Sequence, residues 1–134
     1  MYSVLAICMG ACMGAGIGAC AGALTRWGLG LWLNPLAAIP LGTLAANLIR
    51  GCLIGICIAA FEALPQLGEV WRLTLVTGFL GALTTFSTFT LEVVTMLQQA
   101  RYLLAMGTSA LHLLGSLAMT LLGIHSAKII TRLL

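Results

Sequence analysis

The chain has 134 residues, of which 61% are hydrophobic and 7% charged, and its mean hydropathy is +1.13. Soluble domains carry about 25% charged residues, so this composition excludes a soluble catalytic fold. The net charge of +3 comes from single, scattered side chains, which excludes a basic patch for nucleic acid. Four uncharged runs are about as long as, or longer than, the roughly 20 residues that a membrane span needs. We therefore expect an all-α membrane protein with residues 1–134 forming a single four-span transmembrane domain.

The first predicted span runs from about Val4 to Trp32. Its Gly/Ala-rich start is too long for the apolar core of a signal peptide, so we expect it to be retained. Near its end, Arg26 and Trp27 are typical of a snorkelling cation and an interfacial aromatic. Glycines recur at every fourth position, which predicts a packing face that contacts no permeant ion. This face consists of Gly10, Gly14, Gly18 and Gly22.

The second predicted span runs from about Leu41 to Phe61, after a first loop that contains Pro35 and Pro40. Proline cannot continue a helix, so the two prolines mark this loop. Asn47 and Arg50 lie near the middle of the span. Both side chains are costly in hydrocarbon, which makes them candidates for a functional role.

The third predicted span, from about Leu73 to Leu97, is the least regular. Gly78 and Gly81 precede a run of hydroxyl residues, which predicts a break in the helix near Gly81–Thr84. Carbonyls freed by a break are tolerated in a membrane only when they are buried in protein or satisfied by water or an ion. Such oxygens suit a hard monovalent cation, although a simple flexure at glycine is nearly as good an interpretation.

The end of the third span also carries a polar stripe. Thr85, Thr88, Glu92 and Thr95 recur at spacings of three and four, which places them on one helix face. Phe86 and Phe89 flank this stripe, and the edges of their rings carry positive partial charge that can face an anion. The ordinary alternative is that both phenylalanines are packing residues.

The fourth predicted span runs from Tyr102 to about Ala127 and carries a second polar track. The track residues are four apart and share one face: Thr108, His112, Ser116 and Thr120. The alternative is that these hydroxyls bond carbonyls of their own helix and hold helices together. His112 has no second ligand near it in sequence, so we assign it no metal.

The basic residues predict how the chain is oriented. With four spans both termini lie on one side of the membrane, which gives three basic residues (Arg72, Lys128, Arg132) against two (Arg26, Arg101) on the other side. Because an excess of Lys and Arg sets orientation, near balance predicts either weak orientation or insertion in both directions. This suggests an antiparallel dimer.

Residues 78–92, which read GFLGALTTFSTFTLE, closely resemble the signature of the Fluc/CrcB fluoride channels. Further matches are Arg26-Trp27, residues 40–44 with Asn47, and residues 115–120 (GSLAMT). The resemblance covers essentially the whole chain in order. It implies an antiparallel dual-topology homodimer with two fluoride pathways along the subunit interfaces and a structural sodium ion at the dimer centre.

By matching positions, the resemblance also implies roles for single residues. Phe86 and Phe89 would meet fluoride with their ring edges, and Asn47 would be an amide donor at the same sites. Backbone carbonyls of Gly81 and Thr84 would bind the sodium ion. Arg26 would shape an anion-attracting vestibule. The remaining pathway residues would be the polar stripe and track, with Glu92 as a polar support or mobile gate: Thr88, Glu92, Thr108, His112, Ser116 and Thr120.

Arg50 departs from the family pattern, which leads us to expect a small residue there. Such a cation needs a partner. It could reach into a vestibule, pair with Glu92 of either subunit, or perturb conduction and packing, and these three alternatives stay open.

The predicted function is passive, electrodiffusive export of cytoplasmic fluoride across the bacterial inner (plasma) membrane by a multi-pass protein whose partners are fluoride, a second copy and the lipid bilayer. Neutral donors suit this task, because a full positive charge in the pore would hold the ion too strongly to release it. The alternative is a small proton-coupled multidrug-type exporter, which would need a carboxylate in the first span; none is present. A structural protein without transport would leave both polar tracks without a role. No nucleophile, acid/base pair or phosphate loop supports an enzyme.

Overall fold

The computed structural model describes residues 2–36, 39–64, 66–84 and 86–133. Among these residues, four helical segments are long and apolar enough to cross a membrane, which confirms the predicted all-helical, four-span organisation. The segments, in chain order, are α1 (Tyr2–Leu33), α2 (Leu41–Ala63), α3 (residues 69–83) with α4 (Phe86–Gln98), and α5 (Tyr102–Leu133).

The third crossing is interrupted. In α3 an α-helical turn (Glu69–Arg72) leads into a π-helical stretch (Leu73–Leu80) and a last turn (Gly81–Leu83). Thr84 is then extended, with φ −83° and ψ 151°, and α4 begins at Phe86. The break therefore lies at the end of the predicted interval, while Thr85, which was predicted to start the polar stripe, lies outside the described residues.

Glycines let α1 pack directly on the backbone of α3. A methyl group at Gly18 would overlap the carbonyl oxygen of Thr74, and one at Gly22 would overlap that of Phe79. At Gly14 a methyl would meet the Thr74 hydroxyl instead. These three glycines form the packing face that their spacing predicts, whereas Gly10 has open space around it.

The most extensive helix contact joins α2 and α5. A methyl group at Gly55 would overlap the carbonyl oxygen of Thr120, and one at Gly123 would overlap that of Cys52. Small residues allow this close backbone approach, as is typical of membrane helices. Because the two helices touch here, the polar side chains of α2 and α5 one or two turns away are brought within bonding distance.

A tight turn joins α4 to α5. Ala100 has a left-handed φ of 58°, and the amide of Arg101 donates to the carbonyl of Met96 at 2.9 Å, which ends α4. The turn brings the start of α5 back against α4. Helix α5 then continues to Leu133, six residues beyond the predicted end at Ala127.

Candidate functional site

A chain of hydrogen bonds ties the helix break to the two neighbouring helices. Thr84 donates from Oγ1 to Asn47 Oδ1 at 2.9 Å, and Asn47 Nδ2 lies 2.9 Å from His112 Nδ1. Asn47 on α2 therefore bridges the extended residue of the third crossing and the polar track of α5. His112 is therefore an interhelical hydrogen-bond partner of Asn47.

The bond to Asn47 also fixes the form of the histidine. An amide NH2 group can only donate, so His112 Nδ1 accepts and the ring proton sits on Nε2. His112 is 5% exposed, and in the described part of the chain its Nε2 has no hydrogen-bond partner. A buried donor without a partner is costly, so this N–H is available to an acceptor from outside the chain.

The break and the polar track of α5 border one cavity of about 320 Å³, here called the phenylalanine groove. Phe86 and Phe89 form part of its wall, with ring centroids 5.8 Å apart and the planes tilted by 48°. The Phe89 ring also lies 4.7 Å from the ring of His112. The polar residues that line the groove are Asn47, Arg50, Thr84, His112, Ser116 and Thr120.

The phenylalanine groove is open along the surface of the single chain. Phe86 is 78% exposed, and the lining residues Leu113 and Leu117 are 64% and 56% exposed. One chain therefore supplies only part of a wall around the polar residues. An ion in the groove would remain in contact with its surroundings unless a second surface covered it.

A second cavity, of about 350 Å³, is here called the Arg26 vestibule. Arg26, Thr88 and Glu92 line it together with Thr43. Thr43 donates from Oγ1 to Glu92 Oε1 at 2.6 Å, while the other carboxylate oxygen of Glu92 has no hydrogen-bond partner among the described residues. Glu92 also lines a third cavity together with Arg101, so this residue borders both that cavity and the Arg26 vestibule.

The predicted pathway residues thus fall into two groups. Three of the four residues of the α5 track line the phenylalanine groove, whereas Thr88 and Glu92 line the Arg26 vestibule. Thr108 borders neither cavity: it is 3% exposed and its hydroxyl faces the Met96 sulfur at 3.7 Å. The hydroxyl of Thr120 donates to the Ser116 carbonyl of its own helix. For this residue the alternative of a hydrogen bond within the helix therefore applies.

The helix break is the place where the sequence predicts a hard monovalent cation. The last carbonyls of a helix have no following amides to bond them, and α3 ends at Leu83, two residues after Gly81. The described residues hold no cluster of three or more His, Cys, Asp or Glu side chains that could bind a metal ion. Backbone carbonyl oxygens are hard donors, which suit hard cations and not soft metals.

Comparisons with known proteins point in one direction. The family model for CrcB-like proteins (camphor resistance, CrcB) matches residues 5–124. A fluoride-specific ion channel FluC of Albidiferax ferrireducens is 65% identical, over 95% of this chain and 92% of that protein. Proteins of the same name from Paracidovorax citrulli and Tolumonas auensis are 60% identical (95% of this chain, 94% of theirs) and 53% identical (98% of each).

Proposed function

The chain belongs to the CrcB family of fluoride channels, and from this premise we propose that it exports cytoplasmic fluoride by passive electrodiffusion through two pathways of an antiparallel homodimer. The match to the family model and the identity to the named relatives over nearly the full length support a channel and give no support to an enzyme. They also give none to a proton-coupled exporter. The protein is a multi-pass membrane protein, and we place it in the bacterial inner membrane.

The phenylalanine groove is the observation that carries this proposal. Fluoride gives up its water only where other donors replace it, and the groove brings together an amide on Asn47, a hydroxyl on Ser116 and the rings of Phe86 and Phe89. The ring edges offer positive partial charge, and neutral donors of this kind let an ion enter and leave. The break also starts α4 at Phe86, which puts the positive end of that helix dipole beside the groove.

A second, inverted copy would complete the site. The open side of the groove needs a cover, and the nearly balanced basic residues favour insertion in both orientations. Exposure of Phe86 at 78% in the single chain fits a surface that a partner covers. We therefore propose that each pathway is closed at the interface of an antiparallel pair.

Sodium is proposed as a structural ion of this dimer. Gly81 and Thr84 would hold it with their backbone carbonyls, and two copies meeting at the break would double the number of oxygen ligands. When bound, the ion supplies positive charge that offsets the carbonyl dipoles of the broken helix. The side-chain bond from Thr84 to Asn47 supports this proposal, because it would help to hold the backbone of Thr84 in place.

Reconstituted liposomes test the proposed function. Vesicles loaded with potassium fluoride and diluted into fluoride-free solution should release fluoride, read with an ion-selective electrode, when valinomycin lets potassium follow. Passive electrodiffusion predicts release without a proton gradient. Release that occurs only with an imposed proton gradient would instead favour the proton-coupled exporter, and no release at all would contradict the channel.

A further inference from the structure

Arg50 lines the phenylalanine groove together with Asn47, Phe86 and Ser116. It lies three residues after Asn47 on α2, so both side chains extend from the same face of that helix. Its position bears on one of the three alternatives for Arg50, a pairing with Glu92 of the same chain. The groove, and not a pairing with Glu92 in the same chain, receives this cation, because Glu92 lines the Arg26 vestibule instead.

Among the described residues of this chain, no carboxylate lines the groove beside Arg50. Arg50 Nε is buried with no hydrogen-bond partner in the same part of the chain. An arginine is always protonated and presents five donors. A partly buried cation in this setting is stabilised best by an anion that enters the groove.

We propose that Arg50 is an anion-binding residue of the phenylalanine groove. Its full positive charge provides a binding site that the neutral donors of the pathway do not provide by themselves. The inference rests on the proposed function, since fluoride is the anion that the pathway would bring there. A fixed positive charge raises the occupancy of the groove by an anion. It also slows release, because conduction needs sites that are weak enough to leave. The channel therefore saturates at a low fluoride concentration and has a reduced maximal flux.

The test is fluoride binding and flux in Arg50→Gln. Isothermal titration of the purified full-length protein with sodium fluoride, in detergent and chloride-free buffer, gives the dissociation constant. Proteoliposome efflux at a series of fluoride concentrations gives the half-saturating concentration and the maximal rate. Loss of a charge-assisted donor should raise both the dissociation constant and the half-saturating concentration by about tenfold, without lowering the maximal rate.

Two further variants separate charge from packing. Arg50→Lys keeps the positive charge and should bind fluoride within a few-fold of wild type. Arg132→Gln makes the same substitution at an exposed position near the end of α5 and should leave binding and flux unchanged. If Arg50→Gln does not stay monodisperse, Arg50→Gly removes the same charge without leaving a long polar side chain, and the same increases are expected.

Unchanged binding and saturation in the glutamine or glycine variant would overturn the role of Arg50, while wild-type efflux would leave the proposed function standing. Conversely, fluoride binding that depends on Arg50 in a protein that releases no fluoride would support the site and refute the channel. If fluoride binding weakened equally in Arg132→Gln, the cause would be a general loss of positive charge. That result would also overturn the inference.

Discussion

Replacing Asn47 by leucine removes the central link between the helix break and α5. The change deletes two hydrogen bonds, from Thr84 and to His112. It keeps the size of the side chain close to that of asparagine. Because the same amide lines the phenylalanine groove, the stability of the fold and the fluoride flux should both decrease.

The magnitude follows from the two bonds and from burial. Interhelical hydrogen bonds in membranes contribute about 0.6 kcal/mol each on average, and an orphaned buried group adds about 1–3 kcal/mol. His112 is 5% exposed, so its Nδ1 would be left without a partner. Asn47→Leu should therefore cost about 2–4 kcal/mol, whereas Thr84→Val, which loses one bond at a half-buried residue, should cost about 0.6 kcal/mol.

Two assays measure the two consequences. Thermal unfolding in detergent, followed by size-exclusion chromatography, should rank Asn47→Leu below Thr84→Val and Thr84→Val below wild type. Fluoride efflux from liposomes should fall by about tenfold or more in Asn47→Leu, because one lost donor of about 1.4 kcal/mol corresponds to that factor. Gln98→Leu, which replaces an exposed amide at the end of α4, is the matched control. Wild-type stability together with wild-type efflux in Asn47→Leu would contradict the role of Asn47 both as the link between the helices and as a donor in the groove.

The other predictions concern the ring wall, the helix packing and the acidic side chain. Phe89→Leu should abolish fluoride efflux, because an aliphatic chain has no positive edge; Phe61→Leu, outside the groove, should conduct normally, and equal efflux from both would contradict the role of the ring. Gly18→Val should destabilise the fold by about 1–3 kcal/mol or more through overlap with α3, as read by unfolding in detergent. Gly10→Val, with open space around the glycine, should not, and similar losses would argue against the packing face. Glu92→Gln keeps an acceptor for Thr43, so efflux should change by less than about tenfold; complete loss would show that the charge itself is required.

Local sequence patterns account for most of the fold. Uncharged runs of span length, the glycine spacing of α1 and the glycine-then-hydroxyl run of the third crossing each have a direct physical meaning. They predict the four spans, the packing of α1 and the break near Thr84. Helix α5 extends to Leu133, beyond the predicted end of the span, because the helix continues through the charged residues Lys128 and Arg132.

The arrangement of the site was harder to predict, because helical spacing identifies a shared face but not the neighbour of that face. Thr108 shares the face of His112, yet the turn at Ala100 places it against Met96 instead of the groove. Glu92 follows Phe89 by one turn but borders a different cavity. The location of Arg50 likewise depends on the close approach of α2 and α5 at Gly55 and Gly123, which is a tertiary feature.

The central claim is that the donors and rings of the phenylalanine groove conduct fluoride in preference to larger halides. Its most direct test compares efflux of fluoride and chloride from liposomes that contain the wild-type protein, with each ion followed by its own electrode under identical potassium and valinomycin conditions. Fluoride should be released rapidly, and chloride should be released no faster than from protein-free vesicles. Equal release of the two ions, or release of neither, would contradict it.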